Sequence, residues 1–136
     1  AQSVIIDGDL RFISEEQKNR TREKMREIIS NNLPETSAEI TFFDSYPAMP
    51  PTQKNKDLLK KFSDVSVSMG HGPVEAWDPS KRGAADVSFV AQYVACIDGL
   101  GAMGNWAHTS KETINLKTFD VLTQRTAVLI YRLVNE

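Results

Sequence analysis

The stretch "SYPAMPPT", residues 45–52, divides this chain. Pro47, Pro50 and Pro51 fall within five residues. Proline fixes φ and has no amide hydrogen, so the segment disfavours both a helix and a central strand and stiffens the backbone. It reads as a boundary between two structural units, 1–50 and 51–136.

Immediately upstream, "TSAEITFFD" sets Ala38, Ile40 and Phe42 on one face against Glu39, Thr41 and Phe43 on the other, the period of a half-buried strand. Before it, Ser14 stands where an N-cap belongs, with Gln17 three positions on and able to reach back to the cap. A helix is expected from about Glu15 to Asn31. Met25, Ile28 and Ile29 lie on its packing side, and Lys18, Arg20, Arg22, Lys24 and Arg26 on the other. Glu15, Glu16, Glu23 and Glu27 are interleaved with those bases, which favours local ion pairs on a solvated face over a nucleic-acid surface. The chain opens on Val4, Ile5 and Ile6 and then "DGDLRFI", a strand entered without polar preamble, as in the middle of a longer sequence. Residues 1–44 thus read strand, helix, strand.

Downstream of the prolines, Thr52 can cap a helix whose Leu58, Leu59, Phe62, Val65 and Met69 form one stripe, with Gly70 placed to end it. "PVEAW" is a short strand candidate, "DPSKRGAAD" a loop, and "DVSFVAQY" either helix or strand. "VACIDGLGAM" reads as a buried strand leaving through glycines. A last helix from about Leu116 to Asn135 puts Phe119, Leu122, Leu129 and Leu133 on one face. Alternating helix and strand implies an α/β layered unit after the α+β portion.

Composition narrows the function classes. The 136 residues suit a single domain, and 40% hydrophobic with 25% charged residues describes an ordinary globular chain. A net charge of −2 supplies no positive field for phosphate backbones, so nucleic acid is not an expected partner. No apolar run approaches the roughly 20 residues of a spanning helix. The chain is therefore read as soluble, without a membrane partner, and either cytoplasmic or periplasmic. Cys96, the single cysteine, has no internal disulfide partner and reads as a buried thiol; no signal peptide is visible.

Two stretches carry chemistry. "GAMGNWAHTSKE", residues 101–112, delivers His108 just past an expected strand exit, where functional groups of α/β sheets collect, and Gly99, Gly101 and Gly104 allow close backbone approach. "DPSKRGAADVSF" carries Asp78, Lys81, Arg82 and Asp86 around Gly83. His71, after Gly70, reads as a turn residue. His108 belongs to no helical metal motif, and neither a nucleophile elbow nor a phosphate loop is present. A catalytic zinc takes three protein ligands, so any metal at His108 needs ligands from elsewhere.

The order of these features, "DLRF", a capped helix, "SYPAMPPT", "KRGAADVSFVA", "GLGAMGNWAHTSKE" and a final helix, resembles the C-terminal part of the M20 family of zinc-dependent metallopeptidases and deacylases, of the glutamate carboxypeptidase and desuccinylase types. The resemblance spans the whole chain. It implies that 1–50 is the second half (βαβ) of a ferredoxin-like lid and dimerisation domain, and 51–136 the C-terminal segment of an α/β zinc-peptidase catalytic domain. "AHTSKE" is similar to the family's closing motif, which makes His108 the last zinc ligand and gives Glu112 a role in holding the loop. "RGAADVSF" is similar to a glycine-rich stretch before a pocket aspartate: Gly83 and Asp86 fit, Arg82, Ala84 and Ala85 depart, and Arg82, Gly83 and Asp86 become the candidate substrate-binding residues. Asn105 and Trp106 stand where the family often has two glycines, and an indole there narrows a pocket.

The family's remaining metal ligands and its general base have no counterpart here, so no catalytic residue is assigned to this chain and it is expected to be an inactive fragment alone. In the family, one or two zinc ions polarise the scissile carbonyl and acidify a bound water while a glutamate moves its proton. The implied substrates are small peptides or N-acyl amino acids, with peptidase and deacylase not separable. Unpaired lid strands imply a homo-oligomer. The rival reading is a non-catalytic assembly or small-molecule-binding module on the same fold.

Overall fold

The computed structural model describes residues 2–136. Its elements are α1 (Glu15–Ser30), α2 (Gln53–Ser68), 3-10 turns at Pro79–Lys81 and Asp86–Phe89, β1 (Gly104–Asn105), β2 (Thr113–Ile114) and α3 (Leu116–Val134). The fold is mixed α and β, with three helices and one antiparallel pair of strands among the described residues. The chain divides into two compact units. One comprises the residues up to Pro50 with Asp78–Gln92, the other Pro51–Trp77 with Tyr93–Glu136. A seam thus falls inside the proline cluster, and Asp78–Gln92 packs with the first unit although both its flanks belong to the second.

In the first unit α1 starts where its cap dictates. The Ser14 hydroxyl accepts the Gln17 amide at 3.1 Å, while the Gln17 side chain accepts the amide of Ile13 at 2.8 Å, one residue earlier than a strict capping box. Glu15 and Glu16 place negative charge at the positive end of the helix dipole.

Of the basic stripe of α1, Arg20, Lys24 and Arg26 are exposed as expected, with Lys24 paired to Glu27 at 2.7 Å, whereas Lys18 and Arg22 are not. Lys18 and Arg22 have side chains only 13% and 14% exposed. The Lys18 ammonium lies 5.4 Å from the Phe12 ring centroid, and Arg22 and Arg26 lie over Phe42 at 4.9 and 5.0 Å. Long basic side chains pack through their stems, and their charge is attracted to an aromatic face. Asp44 completes the tie, with Arg22 at 2.8 Å and Lys18 at 3.3 Å; Lys18 also pairs with Glu15. These cations hold the Asp44 carboxyl below its ordinary range, the Arg22 bond being the larger cause. Glu15 is lowered likewise, chiefly by Lys18, whose own ammonium is raised by that pair.

The strands expected around α1 carry no ladder. Residues 2–13 and 36–44 are unpaired, and so are "PVEAW" and "VACIDGLGAM". A strand exists only against a neighbour, and the described residues supply none there. The patterning persists all the same: Ile40 and Phe42 are half-buried where Thr41 and Phe43 are exposed. Val4, Ile5 and Ile6 are 74%, 91% and 85% exposed.

In the second unit α2 and α3 pack together. Thr52 accepts the Asn55 amide at 3.3 Å to start α2. Its end is a Schellman motif: Met69 is the cap, Gly70 has φ 80°, and the His71 and Gly70 amides donate to the Ser66 and Val67 carbonyls, each at 3.0 Å. Glycine is needed at 70 because that φ is strained for residues with a Cβ. Phe62 and Val65 of α2 meet Leu129 of α3, flanked by Met69, Val74, Ile97, Leu100 and Val128. The Asn55 side chain accepts the Cys96 amide at 2.9 Å inside the unit, fastening the segment before β1 to α2. Cys96 is buried and free, as expected.

The core is small for the chain. The exposed area is 11192 Å² for 15.2 kDa, whereas a compact monomer of that mass exposes about 7,100 Å², and two separate compact bodies of half the mass about 8,600 Å² together. However the units are disposed, at least about 2,600 Å² is exposed beyond what compact folding leaves.

Candidate functional site

His108 sits on a hairpin. β1 pairs β2 antiparallel with Gly104 opposite Ile114 and Asn105 opposite Thr113, and the Asn115 amide donates to the Met103 carbonyl at 2.7 Å. Of the three glycines expected to permit close approach, only Gly104 does so, since a Cβ there would overlap the Thr113 carbonyl; Gly101 has open space and Gly99 serves through its φ of 75°. The hairpin, not the carboxyl edge of a buried strand, presents His108. That differs from the expectation because residues 94–103 form no strand.

The connecting loop, 106–112, is held from inside. The Thr109 hydroxyl and amide both donate to the Trp106 carbonyl, at 2.7 and 3.1 Å. The Glu112 amide donates to the Thr109 carbonyl at 3.1 Å, and the Lys111 amide to the Thr109 hydroxyl at 3.2 Å. The Glu112 carboxylate then accepts the backbone amide of His108 at 3.3 Å, reaching across the loop. These bonds keep Trp106 and His108 in the left-handed region, at φ 62° and 64°. Each bulky residue there costs on the order of 1 kcal/mol, so the loop conformation is set by its cross-links and not by backbone preference. The imidazole and the Trp106 indole, 65% exposed, both face solvent.

Arg82, Gly83 and Asp86 lie in the other unit. Arg82 follows the first 3-10 turn, whose start is capped by Asp78 accepting the Ser80 amide at 2.9 Å and hydroxyl at 2.8 Å. Those bonds lower the Asp78 carboxyl, the hydroxyl more than the amide. The Arg82 guanidinium donates to the Met49 carbonyl at 2.5 Å. Asp86 begins the second turn and accepts the Tyr46 hydroxyl at 3.1 Å. Gly83 has open space around it and an ordinary φ, so the backbone itself does not demand glycine. Segment 86–93, open between helix and strand on sequence grounds, is 3-10 over Asp86–Phe89. The structure therefore gathers Arg82 and Asp86 onto the Tyr46–Met49 stretch. His108 belongs to a different unit.

Tyr46 is the participant that sequence reasoning missed, since the proline cluster carried all the attention given to 45–52. Its ring also lies 5.3 Å from that of Phe89, tilted by 51°. An aromatic hydroxyl at the edge of a stiff segment is the signal that was present.

Among the described residues no group of three or more histidines, cysteines, aspartates or glutamates is arranged to hold a metal. His108 offers one imidazole, and Glu112, the nearest carboxylate in the loop, is committed to the His108 amide. On their own these residues do not fit a zinc ion, which needs three protein donors. No helix among them is long and apolar enough to cross a membrane. Comparison with protein-family models, curated proteins and solved structures finds no match.

Proposed function

We propose that this chain is the C-terminal part of a zinc-dependent amide hydrolase of the M20 kind, acting on small peptides or N-acyl amino acids and inactive on its own. The observation that carries the reading is the "AHTSKE" loop. It holds the backbone of His108 in the left-handed region, with the Glu112 carboxylate accepting its amide, and leaves the imidazole exposed and free to take a ligand. His108 would be one ligand, and the remaining donors would come from outside these residues. Arg82, Gly83 and Asp86 would line the substrate pocket, with residues 1–50 belonging to a lid and 51–136 to a catalytic domain.

The surface supports a larger assembly. An excess of about 2,600 Å² on one partner exceeds the roughly 800 Å² per side of a standard interface. The same observation favours the rival reading, a non-catalytic assembly module, and also the formation of a homo-oligomer through the unladdered segments. The deciding experiment uses the natural full-length protein: zinc content by mass spectrometry and hydrolysis of a panel of N-acetyl amino acids and dipeptides. Zinc-dependent hydrolysis lost in His108→Ala upholds the hydrolase. A zinc-free, inactive protein of the same oligomeric state leaves the assembly module.

A further inference from the structure

The segment Tyr46–Met49 is unusually well anchored for a linker. Pro47 and Pro50 restrict its backbone, and the Ala48 amide donates at 3.1 Å to Glu15 in the first turn of α1. Onto this anchored stretch come three contacts from one remote stretch. The Tyr46 hydroxyl meets Asp86 at 3.1 Å, the Tyr46 ring meets Phe89 at 5.3 Å, and Arg82 meets the Met49 carbonyl at 2.5 Å. All lie within the first unit. Together they account for why Asp78–Gln92 packs with the first unit.

We propose that Tyr46 is a positioning residue for Asp86: its hydroxyl occupies one carboxylate oxygen and its ring fixes the turn, so that the other oxygen is presented to an N–H of a small peptide or N-acyl amino acid. The inference rests on the reading of Asp86 as a pocket residue and adds the group that orients it. The donation is charge-assisted, which makes it directional. It also ties up the phenol, whose pKa is raised mainly by that bond and further by the Asp86 charge. Arg82, held at the other end of the same stretch, limits the pivoting of the four-residue step between it and Asp86.

Tyr46→Phe isolates the effect, because it keeps the ring on Phe89 and deletes one oxygen. In this chain, amide hydrogen exchange at 87–91 is expected to quicken about fivefold in Y46F, and Asp86→Asn is expected to bring the Tyr46 phenol titration down toward its ordinary value. In the natural full-length protein, Y46F is expected to raise KM for the N-acetyl amino acid or dipeptide substrates about fivefold with kcat within about twofold, a loss of uniform binding. Unchanged exchange in Y46F means the clasp does not exist, and the proposal falls whatever the protein hydrolyses. Faster exchange with unchanged KM, while Asp86→Ala raises KM, overturns the positioning role and leaves the hydrolase standing. No zinc-dependent hydrolysis at all, with the exchange effect present, removes the hydrolase reading and with it the ligand at Asp86, and leaves only a structural clasp.

Discussion

Adjacent residues on α3 test how its two faces are covered. Leu129 is 4% exposed and packs on Phe62 and Val65, whereas Ile130, the next residue, is 56% exposed and turns away. Truncating each to alanine removes similar carbon. At Leu129 the lost transfer energy is joined by a cavity, because α2 cannot collapse onto the gap, and the cost should be about 3 kcal/mol. At Ile130 less than half of the side chain leaves water and no enclosed cavity forms, so the cost should stay below about 1 kcal/mol. Urea denaturation followed by far-UV circular dichroism reads both, at a chain concentration where light scattering reports monomer, and an unchanged m-value shows that the same transition is measured. Should Leu129→Ala leave the unit unfolded in buffer, Leu129→Met preserves volume and keeps the comparison usable. Equal costs at the two positions would refute the packing described, since they would mean that the Ile130 face is covered in solution.

Gly104→Ala should drive a Cβ into the Thr113 carbonyl, open the hairpin and cost about 1–3 kcal/mol; loss of protection at the Asn115 amide is the local readout. Acid should weaken the tie between α1 and Asp44. Both Asp44 and Glu15 titrate below their ordinary values, so their contribution is complete above the unfolded carboxylate range of about 4 and is lost as pH falls through the depressed values. Thermal melts of the first unit should therefore be flat from about pH 5 to 7 and fall below about pH 4, and Asp44→Asn should flatten that fall. Self-association is expected through the exposed Val4–Ile6 segment, with apparent mass by light scattering rising with concentration. Ile5→Lys should lower it, and a monodisperse monomer at every concentration would count against the oligomer.

What could be read from the sequence is what is decided within a few residues. The Ser14 and Thr52 caps and the Gly70 stop fix helix ends through bonds spanning three to five positions, so residue type at a given spacing is nearly sufficient. The Glu112 bond to the His108 amide is equally local. Lys18 and Arg22 depart from the solvated face expected of α1 for the opposite reason. Whether Arg22 is solvated depends on Phe42 and Asp44, twenty and more positions away, and no helical period encodes their approach. The clasp between Tyr46 and Asp86 was invisible on the same grounds.

The strands are the instructive failure. Residues 40–43 keep a period-two burial pattern and residues 4–6 a run of branched apolar side chains, both sequence signals of a pleated strand. Yet neither segment finds a ladder. Alternation reports that a segment has been shaped to have a neighbour, while pairing requires that the neighbour be present. Here the pattern and the pairing disagree along the same stretches that leave the most apolar surface in water, Ile5 and Phe43 among them. Sheet edges left in that condition recruit strands from other chains or from other parts of their own. The sequence pattern and the excess of exposed area meet in the same segments, which have no partner strand among the described residues. A partner strand should quench both, and amide protection appearing at 4–6 and 38–43 on assembly, and nowhere else in the first unit, is the result this requires.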